Sequence, residues 1–198
     1  MDLVITLMGP SGVGKDTIID ELKNEVPVEV CKRATTRKPR VNDPTDLLNY
    51  HFLSYEKFME ELNRGAYVMP NRYADAWYGV PISEIYRVIE SGRIPIIKGT
   101  LNVLPGTMKQ LSGQIDFFNI YLYPPSLDSL ENRLNKRGSE SPELIGKRFK
   151  EAIWEIKAAH NGHGKFIHSH VINYDDHPED ATEQIVSNIK NQLLARSN

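Results

Sequence analysis

The residues best suited to chemistry form a glycine-rich stretch near the N-terminus. This stretch reads Gly9-Pro10-Ser11-Gly12-Val13-Gly14-Lys15. It follows an apolar run at 3–8, typical of a strand buried on both faces, and precedes a segment with apolar residues at helical spacing. Such glycines let the backbone wrap an anion, so that its N–H groups and the positive end of the next helix point at it, while the lysine reaches the β and γ phosphates. The pattern therefore predicts a P-loop between a strand and a helix.

The two residues after the lysine depart from the usual P-loop pattern. That position normally carries a serine or threonine whose hydroxyl binds Mg²⁺, whereas here Asp16 is followed by Thr17. A carboxylate beside phosphates is repulsive unless a cation lies between them. Two interpretations stay open: Asp16 and Thr17 contribute to an Mg²⁺ site, or Asp16 is an outward carboxylate favoured by the helix dipole.

A second candidate site is a basic stretch at 32–40 that contains no acid, in a chain whose formal net charge is −2. Its basic residues are Lys32, Arg33, Arg37, Lys38 and Arg40. Threonines at 35 and 36 and a proline at 39 favour a shaped clamp over a loose tail. We therefore expect a local anion-binding site here.

Strand and helix patterns alternate along the rest of the chain. Strands are predicted at 93–97, 117–123 and 165–174, and helices at 83–91, 126–136, 142–160 and around 185–193. This alternation predicts an α/β fold with a parallel sheet and helices on both faces. The segment 33–79, with a helix at 56–64, is interpreted as an insertion on the edge of that sheet.

Composition excludes several other classes of protein. With 40% apolar and 25% charged residues, the chain is expected to be neither disordered nor a general binder of nucleic acid. The apolar run at 3–8 is too short for a membrane helix and follows an acid, so neither a membrane nor a secretory role is expected. The single cysteine, Cys31, suits a reducing compartment, and we expect a cytoplasmic protein.

Several motifs together resemble the guanylate kinases, in order and spacing, over nearly the whole chain. They are the P-loop, Thr35-Thr36-Arg37-Lys38-Pro39-Arg40, Tyr50-His51-Phe52, Tyr78-Gly79, Arg133-Leu134, Arg137-Gly138 and Lys147-Arg148. The resemblance implies one P-loop NTPase-type domain over 1–198, with a core at 1–32, 80–125 and 164–198. It also implies an acceptor-binding insertion at 33–79, a helical lid at about 126–163, and ATP as co-substrate with Mg²⁺.

The resemblance also implies roles for individual residues. Those matching the family's acceptor-phosphate positions are Arg37, Arg40, Tyr50 and Tyr78. On the ATP side, Arg133 and Asn173 match adenine contacts, and Arg137 and Arg148 match lid arginines that act with Lys15 on the transferring phosphoryl group. Arginine suits this task because its planar fork binds phosphate oxygens in pairs and keeps its charge.

The acceptor's identity stays open, because Arg33, Met69 and Thr100 (or Lys98) match positions where the family carries a serine and two carboxylates that bind guanine, and those groups are missing here. The first interpretation is a GMP kinase, forming GDP and ADP. The chain is also similar to ribose 1,5-bisphosphate phosphokinases, which form phosphoribosyl diphosphate, at Gly14-Lys15-Asp16-Thr17 and at Arg33. A third interpretation is a binding module without catalysis. The sequence does not indicate an oligomeric state.

Overall fold

The computed structural model describes residues 1–40, 43, 45–73, 75–136, 142–162 and 164–197. The strands in these ranges are β1 (Asp2–Met8), β2 (Val28–Val30), β3 (Arg33–Thr35), β4 (Tyr50–Phe52), β5 (Tyr67–Tyr73), β6 (Ala76–Pro81), β7 (Ile94–Lys98), β8 (Ile115–Tyr123) and β9 (Ser169–Ile172). The helices are α1 (Lys15–Glu25), α2 (Asp46–Asn49), α3 (Tyr55–Asn63), α4 (Ile82–Glu90), α5 (Leu104–Gln110), α6 (Leu127–Lys136), α7 (Pro142–His160) and α8 (Pro178–Ser197).

The central sheet has the strand order β2-β7-β1-β8-β9. Its pairing is parallel between β2 and β7, and parallel between β8 and β9. In β1 every residue after Asp2 is buried, as expected for an apolar run covered on both faces. The predicted α/β fold with a parallel sheet is confirmed.

Internal contacts divide the chain into two compact units. The first unit comprises Met1–Ile5 and Val28–Phe117, and the second comprises Thr6–Pro27 and Phe118–Asn198. The predicted insertion lies in the first unit, and the predicted lid lies in the second.

The segment at 33–79 is more regular than its sequence indicates, because it forms a second sheet of order β4-β3-β6-β5. Strand β3 pairs in parallel with β4 and antiparallel with β6, while β5 and β6 form an antiparallel pair. Helix α3 covers the predicted 56–64 helix within one residue at each end, and its Phe58 ring stacks on Tyr67 with centroids 4.6 Å apart. Strands β3 and β4 were missed because three residues are too few to show an alternating pattern.

In the second unit, α1 packs against α8, and α6 against α7. Leu130, Leu134 and Ala152 form the core between α6 and α7. The predicted strand at 165–174 is wrong in length, because only Ser169–Ile172 pairs with β8. The residues before it form a 3-10 turn at Gly164–Phe166, which the Ile167 N–H closes by donating to the Gly164 carbonyl at 2.9 Å.

A membrane-crossing helix was not expected from the sequence. Across the ranges that the structure describes, no helix combines the length and the apolar character needed to cross a bilayer.

Candidate active site

The phosphate loop of the second unit needs glycine for two physical reasons. Gly9, Gly12 and Gly14 all have positive φ angles, a conformation that L side chains rarely adopt. Space is also lacking: a Cβ on Gly9 would lie 2.4 Å from the Leu122 carbonyl oxygen, and one on Gly14 would lie 2.4 Å from Asn173 Nδ2. At Gly9 and Gly14 the loop backbone therefore lies directly against its neighbours, with no room for a side chain.

Lys15 begins α1 directly after this loop. Its ammonium donates to the carbonyl oxygens of Gly9 and Pro10, at 2.6 and 2.9 Å. Gly14 is the N-cap of α1 and has no side chain, so the cap residue offers no side-chain acceptor to the first N–H groups of the helix. An uncapped helix start beside a lysine is suited to a phosphate group.

The lid arginine Arg148 lies on α7, and its Nη1 donates to Ser11 Oγ in the loop at 3.0 Å. The structure thus brings together a predicted lid residue and a predicted loop residue. The other lid arginine, Arg137, lies outside the described residues.

The Arg133 side chain binds a backbone carbonyl of the phosphate loop. Its guanidinium donates to the carbonyl oxygens of Val13 at 3.0 Å and Asn173 at 2.7 Å, and to Asp175 Oδ1 at 2.8 Å. Asn173 is buried, and its Nδ2 donates to the Val13 carbonyl oxygen at 2.8 Å. Arg133 and Asn173 therefore both anchor the loop at Val13.

The sequence reasoning missed Asp175. Hydrogen bonds from Ser129 Oγ and from Arg133 lower the pKa of this carboxyl group. The signal was weak, because Asp175 is one of two adjacent acids in an exposed turn after β9.

Asp16 and Thr17 are exposed in the first turn of α1. No group of three or more acidic, histidine or cysteine side chains in the described ranges is arranged to hold a metal ion. Mg²⁺ usually binds one or two protein oxygens together with substrate phosphates and water, instead of a cage of side chains. The carboxylate and hydroxyl at the loop edge fit that mode.

In the first unit, the clamp is built around Arg37 and a buried carboxylate, Asp46. Arg37 Nη1 donates to Asp46 Oδ2 at 2.6 Å, and Nη2 pairs with the other carboxylate oxygen. The Arg40 backbone N–H also donates to Asp46, at 2.8 Å. These hydrogen bonds, chiefly those from Arg37, lower the pKa of Asp46 to about 2. Asp46 was missed because nothing in the sequence separates it from other acids nearby.

Aromatic rings complete this clamp. The Arg37 guanidinium lies 4.6 Å from the Tyr50 ring centroid, and Tyr50 meets Tyr78 edge-on at 6.3 Å. Arg40 points its side chain outward, 64% exposed, with Asp43 at 3.6 Å. The predicted acceptor residues Arg37, Tyr50 and Tyr78 therefore lie together, with Arg40 at the rim.

Arg33 lies beside the clamp residue Tyr78. Its guanidinium is 5.1 Å from the Tyr78 ring centroid and donates to Asn71 Oδ1 at 2.8 Å, while its buried Nε has no hydrogen-bond partner in the described part of the chain. Burial lowers the pKa of this guanidinium. A narrow cleft beside it is lined by Val30, Cys31, Lys32, Arg33, Asn49, Tyr50 and Lys98. Among the described residues that line this cleft, three are cationic and none carries a carboxylate.

Met69 and Thr100 are placed differently from the clamp residues. Met69 is buried at a bulge of β5, has a φ of 50°, and donates its N–H to Thr107 Oγ1 at 2.9 Å. Thr100 is partly buried and precedes the 3-10 turn Leu101–Val103.

Comparisons with known proteins show which family this chain resembles. The family model described as guanylate kinase matches residues 1–192. A guanylate kinase of Clostridium perfringens is 34% identical over 184 residues, covering 92% of this chain and 80% of the relative. A guanylate kinase of Prochlorococcus marinus is 35% identical over 158 residues, covering 79% of this chain and 83% of the relative.

A solved structure has the same fold. The crystal structure of guanylate kinase from Anaplasma phagocytophilum matches with a TM-score of 0.64 at 21% identity, covering 98% of this chain and 86% of that chain. Since the family model spans nearly the whole chain and the sequence relatives exceed 30% identity, this chain belongs to the guanylate kinase family.

Proposed function

We propose that this protein is an ATP-dependent kinase that transfers the γ-phosphoryl group of ATP to GMP, giving GDP and ADP. The observation that carries the proposal is the phosphate loop, which has Lys15 at the start of α1 and a hydrogen bond from Arg148 to its Ser11 hydroxyl. Family membership supports GMP as the acceptor. No comparison supports a ribose 1,5-bisphosphate acceptor.

The residues have distinct tasks in this reaction. Phosphoryl transfer requires two anionic substrates held in line, water excluded, and cations on the charge of the transferring group. Lys15 would bind the β and γ phosphates, and Arg148, with Arg137, would stabilise the charge that develops on the γ group. Arg37, Arg40, Tyr50 and Tyr78 would bind the acceptor's phosphate.

Mg²⁺ is the proposed metal of the reaction. Asp16 and Thr17 would hold it, and when bound it neutralises charge on the β and γ phosphates. The carboxylate of Asp16 would then replace the usual loop hydroxyl.

The proposal extends to organisation and location. We assign the segment 33–79 to the acceptor and 126–163 to a lid that closes on the nucleotide. Cys31 is free and buried, and burial raises the pKa of its thiol. A free cysteine suits a cytoplasmic location.

The test is a coupled ADP-release assay with ATP, Mg²⁺ and a panel of acceptors. The panel contains GMP, IMP, AMP, CMP, UMP and ribose 1,5-bisphosphate. The proposal predicts GMP-dependent ADP release that Lys15→Ala abolishes. Faster turnover of ribose 1,5-bisphosphate than of GMP would overturn the acceptor assignment. ATP and GMP binding without turnover would favour a binding module.

A further inference from the structure

Arg33 shares one face of the second sheet with the residues of the clamp. Residues that lie opposite each other on paired strands point to the same face, and so do alternate residues of one strand. Arg33 lies opposite Tyr50, and Thr35 lies opposite Tyr78. Asn71 of β5 also lies opposite Tyr78. The Arg33 side chain is therefore on the face where the acceptor's phosphate would bind.

The Arg33 guanidinium is held in place, but its hydrogen-bonding capacity is not used up. It lies 5.1 Å from the Tyr78 ring centroid, and its Nη2 donates to Asn71 Oδ1 at 2.8 Å. Its Nε is buried and has no hydrogen-bond partner within the described ranges. A guanidinium has five N–H donors and no acceptor, and a buried donor without a partner is costly. A ligand that supplies acceptor atoms would remove that cost.

The cleft beside Arg33 favours the acceptor atoms of a ligand over its donor atoms. Lys32 and Lys98 line this cleft together with Arg33, and none of the described residues in its lining is acidic. Positive charge attracts the lone pairs of an oxygen or a ring nitrogen and repels the hydrogen of an N–H group. The edge of a base that enters here should therefore carry acceptors.

Guanine carries two such acceptors, O6 and N7, side by side on one edge, and an arginine fork binds this pair with two hydrogen bonds. Adenine keeps N7 but has the N6 amino donor where guanine has O6. We propose that Arg33 determines base specificity by donating to O6 and N7 of a 6-oxopurine whose phosphate is bound at Arg37. The inference rests on the proposed function, because it states which edge of the acceptor's base is recognised.

The proposal defines a substrate class wider than GMP. A fork on O6 and N7 does not contact the 2-amino group of guanine. IMP has the same O6 and N7 but lacks that amino group, so it should be accepted about as well as GMP. AMP should be rejected, because its amino donor would meet the donors of Arg33.

The experiment measures four nucleotides: GMP, IMP, AMP and 7-deaza-GMP, in which a C–H group replaces N7. Their Kd values are measured by calorimetry without ATP, and their kcat/KM values by ADP release with ATP and Mg²⁺. Wild type is compared with Arg33→Lys, Arg33→Ala and the matched control Arg72→Ala. Arg72 is an exposed arginine of β5 that directly follows Asn71, so it lies on the opposite face of the same sheet.

For wild type we expect IMP within about threefold of GMP in Kd, and AMP and 7-deaza-GMP weaker by about tenfold or more. Arg33→Lys keeps the charge but loses the planar fork, so it should reduce the preference for GMP over AMP by about tenfold or more. Arg33→Ala should reduce it at least as much. Arg72→Ala should leave every ratio within about twofold of wild type.

Three results would overturn the proposal. The first is IMP bound at least tenfold more weakly than GMP, because the 2-amino group would then be recognised. The second is 7-deaza-GMP bound as tightly as GMP. The third is an unchanged preference for GMP over AMP in a folded Arg33→Lys protein. If Arg33→Ala does not fold, the wild-type comparison and Arg33→Lys still decide the matter.

The same measurements separate this inference from the proposed function. GMP and IMP that bind more tightly than AMP and 7-deaza-GMP, but are not phosphorylated, would contradict the proposed function alone. Tight binding and turnover of ribose 1,5-bisphosphate, with no binding of GMP or IMP, would overturn both.

Discussion

Replacing Asp46 by asparagine should weaken acceptor binding while leaving the ATP side unchanged. Asp46 is 2% exposed and accepts hydrogen bonds from both terminal nitrogens of Arg37 and from the Arg40 backbone. Asparagine keeps the size of the side chain but removes its charge. Arg37 then loses the partner that orients it toward the Tyr50 ring.

The magnitude follows from the pKa of Asp46. The difference between its ordinary pKa of 3.8 and about 2 in the fold corresponds to roughly 2 kcal/mol. Because the folded-state pKa is lowered, this stability is present above about pH 4 and is lost as the pH falls through about 2. Charge-assisted hydrogen bonds have the same size, about 1.5–3 kcal/mol.

The assay pairs urea unfolding with steady-state kinetics. Asp46→Asn should lose about 2 kcal/mol of unfolding free energy at pH 7, and the difference from wild type should shrink between pH 4 and pH 2. The KM for the acceptor should rise about tenfold, with ATP Kd within about twofold. The control Asp43→Asn removes a more exposed acid, 3.6 Å from Arg40, and should change neither quantity by much. An acceptor KM equal to that of wild type, in a folded Asp46→Asn protein, would refute this account of the clamp.

Substitutions at four further positions test the other parts of the site. Lys15→Ala should remove transfer, because the loop loses the cation that follows charge from the β to the γ phosphate; turnover within a few-fold of wild type would contradict the P-loop assignment. Arg148→Ala should lower kcat by roughly a thousandfold while ATP Kd changes little, and a change in KM alone would place this arginine outside the reaction centre. Asp16→Ala should raise the Mg²⁺ concentration needed for half-maximal rate, and Asp16→Ser should partly restore it; an unchanged requirement in both would leave Asp16 as a helix-start charge. Arg40→Ala should raise the KM of every accepted monophosphate similarly without affecting ATP Kd, so a selective effect on one acceptor would contradict a phosphate-binding role.

The phosphate loop was predictable because its signals are local. The apolar run of β1, the glycines and the lysine follow one another along the chain, and each acts on its immediate neighbours. The anchoring of Val13 by Arg133 and Asn173 was not predictable, since these residues are 120 and 160 positions away from it. Their resemblance-based assignment to adenine stays a prediction.

The acceptor clamp shows a different limit. Its arginines were evident from their density, but Asp46, which orients Arg37, is an ordinary acid in the sequence. The strands that carry the clamp are short and pair across 17 to 45 positions, so no local period reveals them. Met69 matches a guanine-binding position by spacing, yet its side chain is buried at a bulge. A Met69→Glu substitution would therefore bury a carboxylate and lower stability.

The most direct test of the central claim is a product measurement with ATP, GMP and Mg²⁺. Wild-type protein and Lys15→Ala are each incubated with both substrates, and GDP and ADP are quantified by chromatography. The account predicts that wild type forms GDP and ADP in equal amounts and that Lys15→Ala forms neither above background. ADP without GDP in wild type, or undiminished GDP in Lys15→Ala, would contradict it.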